Sequence, residues 1–203
     1  MNGLTAIILA AGESSRMSFP KALLPFNHEE VFFIKLINAF VKIGCEKVVL
    51  VHNQKDTHLL KKHYHTQDQK KFILVVNSNP FSSRLFSLKL GLNALTTNDY
   101  CFIHNVDNPW ANESVLKQLF NHRFDNPVIK AVFDGRGGHP ILINSLVMNY
   151  IKSYEDDSIT LKKLLNQFSC TSVMVDDPNI LININCPEDY NRYFPDMPFP
   201  LDI

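Results

Sequence analysis

Short apolar runs, most of them β-branched, recur along this chain, and stretches with a helical repeat separate them. Leu4–Leu9, Lys47–Val51, Phe72–Val76, Tyr100–His104 and Val128–Phe133 read as strands, each of the length a buried strand takes. The patterns between them are helical. Val31–Val41 puts Phe32, Leu36, Ala39 and Phe40 on one side, Ser83–Leu95 does the same with Leu85, Leu88, Leu92 and Leu95, and Glu113–Phe124 reads as a further helix. Strands that alternate with helices predict an α/β fold. The expected form is a three-layer sandwich around a mostly parallel, doubly wound, Rossmann-like sheet.

The rhythm changes after Asp134. Glycines cluster at 135, 137 and 138, and Ile141–Ile143 is apolar. Leu161–Phe168 reads as a helix, Thr171–Val175 as a strand and Leu181–Ile184 as a short extended run. A helix over Glu188–Tyr193 follows Pro187, because proline suits a first helical turn. The tail "FPDMPFPLDI" is proline-rich and predicts an extended or frayed end. No repeat or linker divides the chain, so one domain over residues 1–194 and a C-terminal tail over 195–203 are expected.

Composition narrows the class. The chain has 203 residues, 45% hydrophobic and 20% charged, which is ordinary for a globular domain. Twenty basic residues balance twenty acidic ones, so no global field points to nucleic acid or to an anionic membrane surface. No apolar stretch reaches a membrane span, and Ile7–Ala11 is too short for a signal core. Cys45, Cys101, Cys170 and Cys186 are too scattered for a metal or redox motif. They predict reduced, mostly buried thiols in a cytoplasmic protein.

The chemistry gathers where the first strand ends. In doubly wound sheets ligands sit beyond the carboxyl ends of the strands. Ala10, Ala11 and Gly12 let the main chain approach a ligand, and successive N–H groups there form an anion-binding concavity. Ser14 and Ser15 add hydroxyls, Arg16 a planar fork and Lys21 a compact charge. Together they favour a polyphosphate. The segment matches neither the dinucleotide fingerprint nor the P-loop. The plain alternative is a strand–turn–helix connection with surface Arg and Lys. At the end of another strand, Asp107 followed by Asn108-Pro109 is either an oxygen ligand for Mg²⁺ or a turn residue.

"LAAGESSRMSFPKALLPF" resembles the signature loop of nucleotidyltransferases, most closely the MobA/MocA-like, molybdenum cofactor cytidylyltransferase type. Leu9, Ala10, Ala11, Gly12, Ser14, Arg16, Met17, Pro20, Lys21, Leu23, Leu24 and Pro25 carry the match. Ser18 departs from it, standing where glycine is usual. Three later blocks fall in family order: Asn79, Pro80, Ser87, Leu88, Gly91 and Leu92; Asp107, Pro109 and Trp110; and "GRGGHPIL" with Arg136, Gly138, His139 and Pro140. "LININCPEDYNRY" resembles a fourth, with Asn183 and Asn185 where the family has aspartates. Arg84 stands where small residues are usual and reads as an exposed side chain, an extra anion contact being the alternative. "YEDDSITLKKLL" lacks the glycines and arginine of the corresponding family segment.

The resemblance implies a nucleotide-diphospho-sugar transferase type of fold and a Mg²⁺-dependent transfer of NMP from an NTP to a phosphorylated acceptor such as molybdopterin. Pyrophosphate leaves. Catalysis would fall to Lys21, Arg16 and Asp107, and nucleotide binding to Leu9, Ala10, Ala11, Gly12, Ser14, Ser15, Arg16, Lys21, Asn79 and Ser87. Gly138, His139 and Pro140 would bind the acceptor, and Asp107 with Asn185 the metal. Ala11 leans the donor to CTP, with GTP second. Sugar- or polyol-phosphate transfer is the alternative within enzymes, and a degenerate nucleotide- or cofactor-binding carrier the alternative outside them. The implied partners are small molecules, with an acceptor-supplying protein left open.

Overall fold

The computed structural model describes residues 3–13, 15–64, 71–79, 83–96, 99–156 and 158–200. Seven strands form one sheet: β1 (Leu4–Ala10), β2 (Lys47–Asn53), β3 (Phe72–Asn77), β4 (Tyr100–Asn105), β5 (Val128–Phe133), β6 (Arg136–Asn144) and β7 (Cys170–Met174). Their spatial order is β3-β2-β1-β4-β6-β5-β7. β3, β2, β1 and β4 are parallel neighbours; β6 runs antiparallel to both β4 and β5, and β7 is parallel to β5.

β1 is buried along both faces because helices cover both, so its sequence reads as an unbroken apolar run. Its side chains alternate between two layers. Leu4, Ala6 and Ile8 join a core with α1 (Phe32–Lys42), α2 (Thr57–Tyr64), α4 (Glu113–Asn121) and α7 (Pro187–Tyr193). Ile7 and Leu9 join a second core with α3 (Arg84–Asn93), α5 (Ser145–Ser153) and α6 (Leu161–Leu165). The three-layer, mostly parallel architecture is therefore the expected one.

Several local expectations needed correction. α2 is predominantly polar, and among its described side chains Leu60 is the one fully covered, so its periodicity is faint. α5 starts directly after a strand with no turn residue between; Asn144 caps it, its side-chain oxygen accepting from Val147 N–H at 3.2 Å. The 135–138 glycine cluster belongs to a β-hairpin. Asp134 and Gly135, at φ 49° and 70°, form its two-residue turn, as a hairpin between twisted strands demands. The extended run expected over Leu181–Ile184 starts one residue later and outside the sheet: Leu181 closes a 3₁₀ turn over Pro178–Leu181, and Ile182 is extended. All four cysteines are free, but Cys170 is exposed because β7 lies at the sheet edge. Among the described residues no helix is long and apolar enough to cross a membrane.

The chain end is tied to the N-terminal half. Tyr190 of α7 is fully buried, donates its hydroxyl to the Pro25 carbonyl at 2.8 Å and packs against Phe32, Phe194 and Phe199. Phe199 also meets Phe19 edge-on. This packing presses the segment before α7 against the 3₁₀ turn Lys21–Leu23. Tyr190→Phe strands the Pro25 carbonyl and is expected to cost about 1 kcal/mol, which a calorimetric scan would register as a drop of about 2–4 °C.

Candidate active site

The order 3-2-1-4 reverses direction between β1 and β4, and in open α/β sheets the crevice at that reversal is where ligands bind. A cavity of about 190 Å³ opens there. Its lining comes from the end of β1 (Leu9, Ala10, Ala11, Gly12), the end of β4 (Asn105, Val106, Asp107), Lys21, and Arg84 and Ser87 of α3. Parallel pairing fixes the first two groups relative to each other: Leu9 pairs with Asn105, and the Val106 N–H donates to the Leu9 carbonyl at 3.0 Å.

Lys21 is the centre of the arrangement. Its Nζ donates to Asn185 Oδ1 at 2.7 Å and lies 3.9 Å from Asp107 Oδ2. The Lys21 and Asp107 side chains are 13% and 21% exposed, so both charges have shed most of their water. Burial lowers the Lys21 pKa from its ordinary value; Asp107 opposes that and Arg16 adds to it. Burial likewise raises the Asp107 pKa, opposed by Lys21 and then Arg84. Mutual attraction thus fails to cancel desolvation for either partner. Asp107 Oδ1 is buried and has no hydrogen-bond partner among the described residues. The local turn belongs instead to Asn108, which accepts from Trp110 N–H at 3.3 Å and donates to the Asn179 carbonyl at 2.9 Å.

Asn185 owes its place to two backbone arrangements. The Ile184 N–H donates to the Asp107 carbonyl at 2.7 Å. Asp189 Oδ2 accepts from the N–H groups of Asn185 and Cys186, at 2.9 and 3.2 Å, and so caps α7. Those bonds, Asn185 N–H first, hold the Asp189 carboxyl below its usual range.

A second cavity of about 520 Å³ adjoins the first and shares Arg84 and Asn105 with it. Gly138 and His139 of β6 line it; Pro140 is buried and does not. Gly138 is required by close approach: a Cβ there would lie 2.3 Å from the Ile180 carbonyl oxygen. His139 Nε2 accepts from Asn105 Nδ2 at 2.7 Å, and its ring meets that of His104 at 5.7 Å. Burial first, and His104 next, push its pKa down to about 3. Burial brings His104, whose Nε2 donates to the Asn108 carbonyl, to about 4. Both imidazoles are neutral at ordinary pH; His139 lines the cavity and His104 is buried behind it.

Of the sequence-predicted residues, Leu9, Ala10, Ala11, Gly12, Lys21, Ser87 and Asp107 meet in the first cavity, and Asn185 touches Lys21. Ser15 and Arg16 are exposed on the loop outside the cavity wall, although the Arg16 charge acts on Lys21. Asn79 is exposed and also off the wall; its N–H donates to Asn77 Oδ1, and Asn77 Nδ2 in turn donates to Ser87. Ser14 and Pro80 lie outside the described residues. Ser18 adopts φ 56°, where a side chain costs about 1 kcal/mol relative to glycine. Arg84 was underread: it is exposed as expected, yet it lines both cavities. Asn105 lines both cavities as well, and nothing in its local sequence marks it for that place.

A sequence profile of the MobA-like NTP transferase domain matches residues 6–171. The chain is 25% identical over 191 residues to the molybdenum cofactor cytidylyltransferase of Escherichia coli K12, covering 94% of this chain and 95% of that one. It is 30% identical over 165 residues to a probable molybdenum cofactor guanylyltransferase of Clostridium perfringens strain 13, covering 80% and 72%. Among solved structures, a nucleotidyl transferase from Methanothermobacter thermautotroptrophicus superposes with a TM-score of 0.78 at 20% identity, over 97% of this chain and 98% of that one.

Two outcomes follow from the geometry. Asp107 has a native pKa above its unfolded value near 3.8, so its contribution to stability is present at low pH and lost as pH rises through the native pKa. In metal-free buffer at pH 7, Asp107→Asn is expected to unfold at a higher temperature than wild type, the gap closing as pH approaches 3.8. Gly138→Ala must move the Ile180 backbone, and denaturant titration should show a loss of about 1–3 kcal/mol.

Proposed function

Because the chain belongs to the MobA-like NTP transferase family, we propose that it transfers NMP from an NTP to a phosphorylated acceptor such as molybdopterin, releasing pyrophosphate. The observation that carries this reading is the Lys21 ammonium set between Asp107 and Asn185 at the floor of a cavity whose rim is the Ala10–Gly12 main chain. CTP is the favoured donor and GTP the second. The preference rests on Ala11, whose methyl group sits in the cavity wall, and the matched relatives include a cytidylyl and a guanylyl enzyme.

The residues fit a Mg²⁺ ion bound largely through substrate. Among the described residues no cluster of three or more His, Cys, Asp or Glu could hold a metal by itself. Mg²⁺ characteristically takes one or two protein oxygens and completes its shell with phosphates and water. Asp107, with an unpartnered buried carboxylate oxygen, and the Asn185 amide oxygen would supply those two. When bound, the ion would neutralise phosphate charge and polarise the α-phosphorus.

The protein's own share is positioning and charge. An acceptor phosphate already carries the negative charge of a nucleophile, so no strong general base is needed. Lys21 stabilises charge developing near the α-phosphate, and the loop amides from Ala11 with Arg16 hold the outer phosphates. Ser87, oriented by Asn77, faces the nucleoside side of the cavity. The second cavity admits the acceptor from the β6 side, with neutral His139 in its wall and Gly138 letting the Ile180 backbone close against β6.

The test combines binding with turnover. A nucleotide at about 100 times its Kd should add about 2.7 kcal/mol of stability, so a thermal-shift screen of CTP, GTP, UTP and ATP with and without Mg²⁺ identifies the donor. Pyrophosphate release in the presence of molybdopterin should then fall about 100-fold in Lys21→Ala. A Mg²⁺-dependent shift without pyrophosphate would point to a nucleotide-binding carrier. An unchanged rate in the variant would remove Lys21 from the chemistry.

A further inference from the structure

Among the described residues two belong to the lining of both cavities, Asn105 and Arg84. Asn105 is committed to His139. Arg84 is the first residue of α3, behind the Ser83 cap, where a cation opposes the positive end of the helix dipole. Helix stability therefore gives no reason for a basic residue there.

The surroundings differ on its two sides. The first cavity sets Arg84 with Lys21 and Asp107; the second sets it with Lys130, Arg136 and Lys162, and among the described residues no carboxylate lines that second cavity. The Arg84 charge is felt on both sides: after burial and Lys21 at Asp107, and after burial and His104 at His139.

We propose that Arg84 is a clamp that holds both substrates at once, one edge of its guanidinium on phosphate oxygens of the nucleotide and another on the acceptor's phosphate. The proposal rests on the transferase reading. Two phosphates must come to within about 3–3.5 Å at the reacting atoms, and both are anionic. A planar guanidinium has five N–H donors pointing along different edges, so it can bind two oxyanions at once and offset their repulsion; an ammonium acts as a point charge. In the step itself an acceptor phosphate oxygen forms a bond to the α-phosphorus. The bond from that phosphorus to the pyrophosphate oxygen breaks, and pyrophosphate leaves with the electron pair. Arg84 keeps its proton throughout.

Isothermal titration of wild type, Arg84→Ala, Arg84→Lys and Arg136→Ala tests the clamp, with Mg·CTP or Mg·GTP as one probe. Glycerol phosphate, added alone and on top of saturating nucleotide, is the other. Arg84 is exposed, so circular dichroism should show the fold intact. Arg84→Ala is expected to weaken both probes by about tenfold, as loss of a charge-assisted contact does. Arg136→Ala should weaken glycerol phosphate alone. Arg84→Lys should recover each probe singly in part but not their simultaneous binding. Unchanged affinity for either probe in Arg84→Ala overturns the clamp, as does a wild type that binds no glycerol phosphate. Pyrophosphate release distinguishes the two readings. Wild-type turnover in Arg84→Ala sinks the clamp and leaves the transferase standing. Arg84-dependent binding of both probes without any pyrophosphate sinks the transferase and leaves the clamp.

Discussion

A lysine and an aspartate that both lose by burial set the terms for this molecule. Lys21 and Asp107 sit 3.9 Å apart with little water on either side chain, and neither is returned to its ordinary proton affinity by the other. A fold selected for stability alone would replace such a pair with apolar side chains. Its retention makes sense if the missing compensation arrives with a ligand. On the proposed reading, substrate phosphates would bring negative charge for Lys21, and a divalent cation would bring positive charge for Asp107 Oδ1.

Much of the scaffold serves to hold that pair in place. Parallel pairing of β1 and β4 sets the main chain at Ala10–Gly12 beside Asp107. Tyr190 packs α7 against the Lys21 segment, and the Ile184–Asp107 backbone bond brings Asn185 within 2.7 Å of Lys21. The carboxamide is neutral, so it accepts from the ammonium without cancelling its charge. The reversed strand β6 makes the second cavity. Its Gly138 lets the Ile180 backbone approach, and its His139 stays neutral because it is buried beside another imidazole.

The sequence was most legible where local pattern and burial agree. β1, β2, β4 and β5 are apolar runs buried on both faces, and their elements lie where those runs predict. Lys21 and Asp107 stood out because each follows a strand end in a recognisable motif. α2 and α5 were hidden, the first by its polar sequence and the second by its abrupt start after β6. The glycine cluster at 135, 137 and 138 does not by itself select an element, because glycine permits both a loop and a hairpin; strand pairing of β6 with β4 and β5 decides it. Ser18 was flagged by its residue type, and its φ of 56° accounts for the flag.

By itself, then, the sequence determined the α/β alternation, the small-residue loop after β1 and the carboxylate after β4, since each depends on residues near one another in the chain. Which groups share a cavity was decided by tertiary structure. Lys21 and Asn185 are 164 positions apart, and only the docking of α7 makes them partners. Arg84 looks like a surface cation because its neighbours along the helix are uninformative. Its place between two cavities exists only once α3, β4 and β6 have packed, a contact at a distance in sequence that no local pattern encodes.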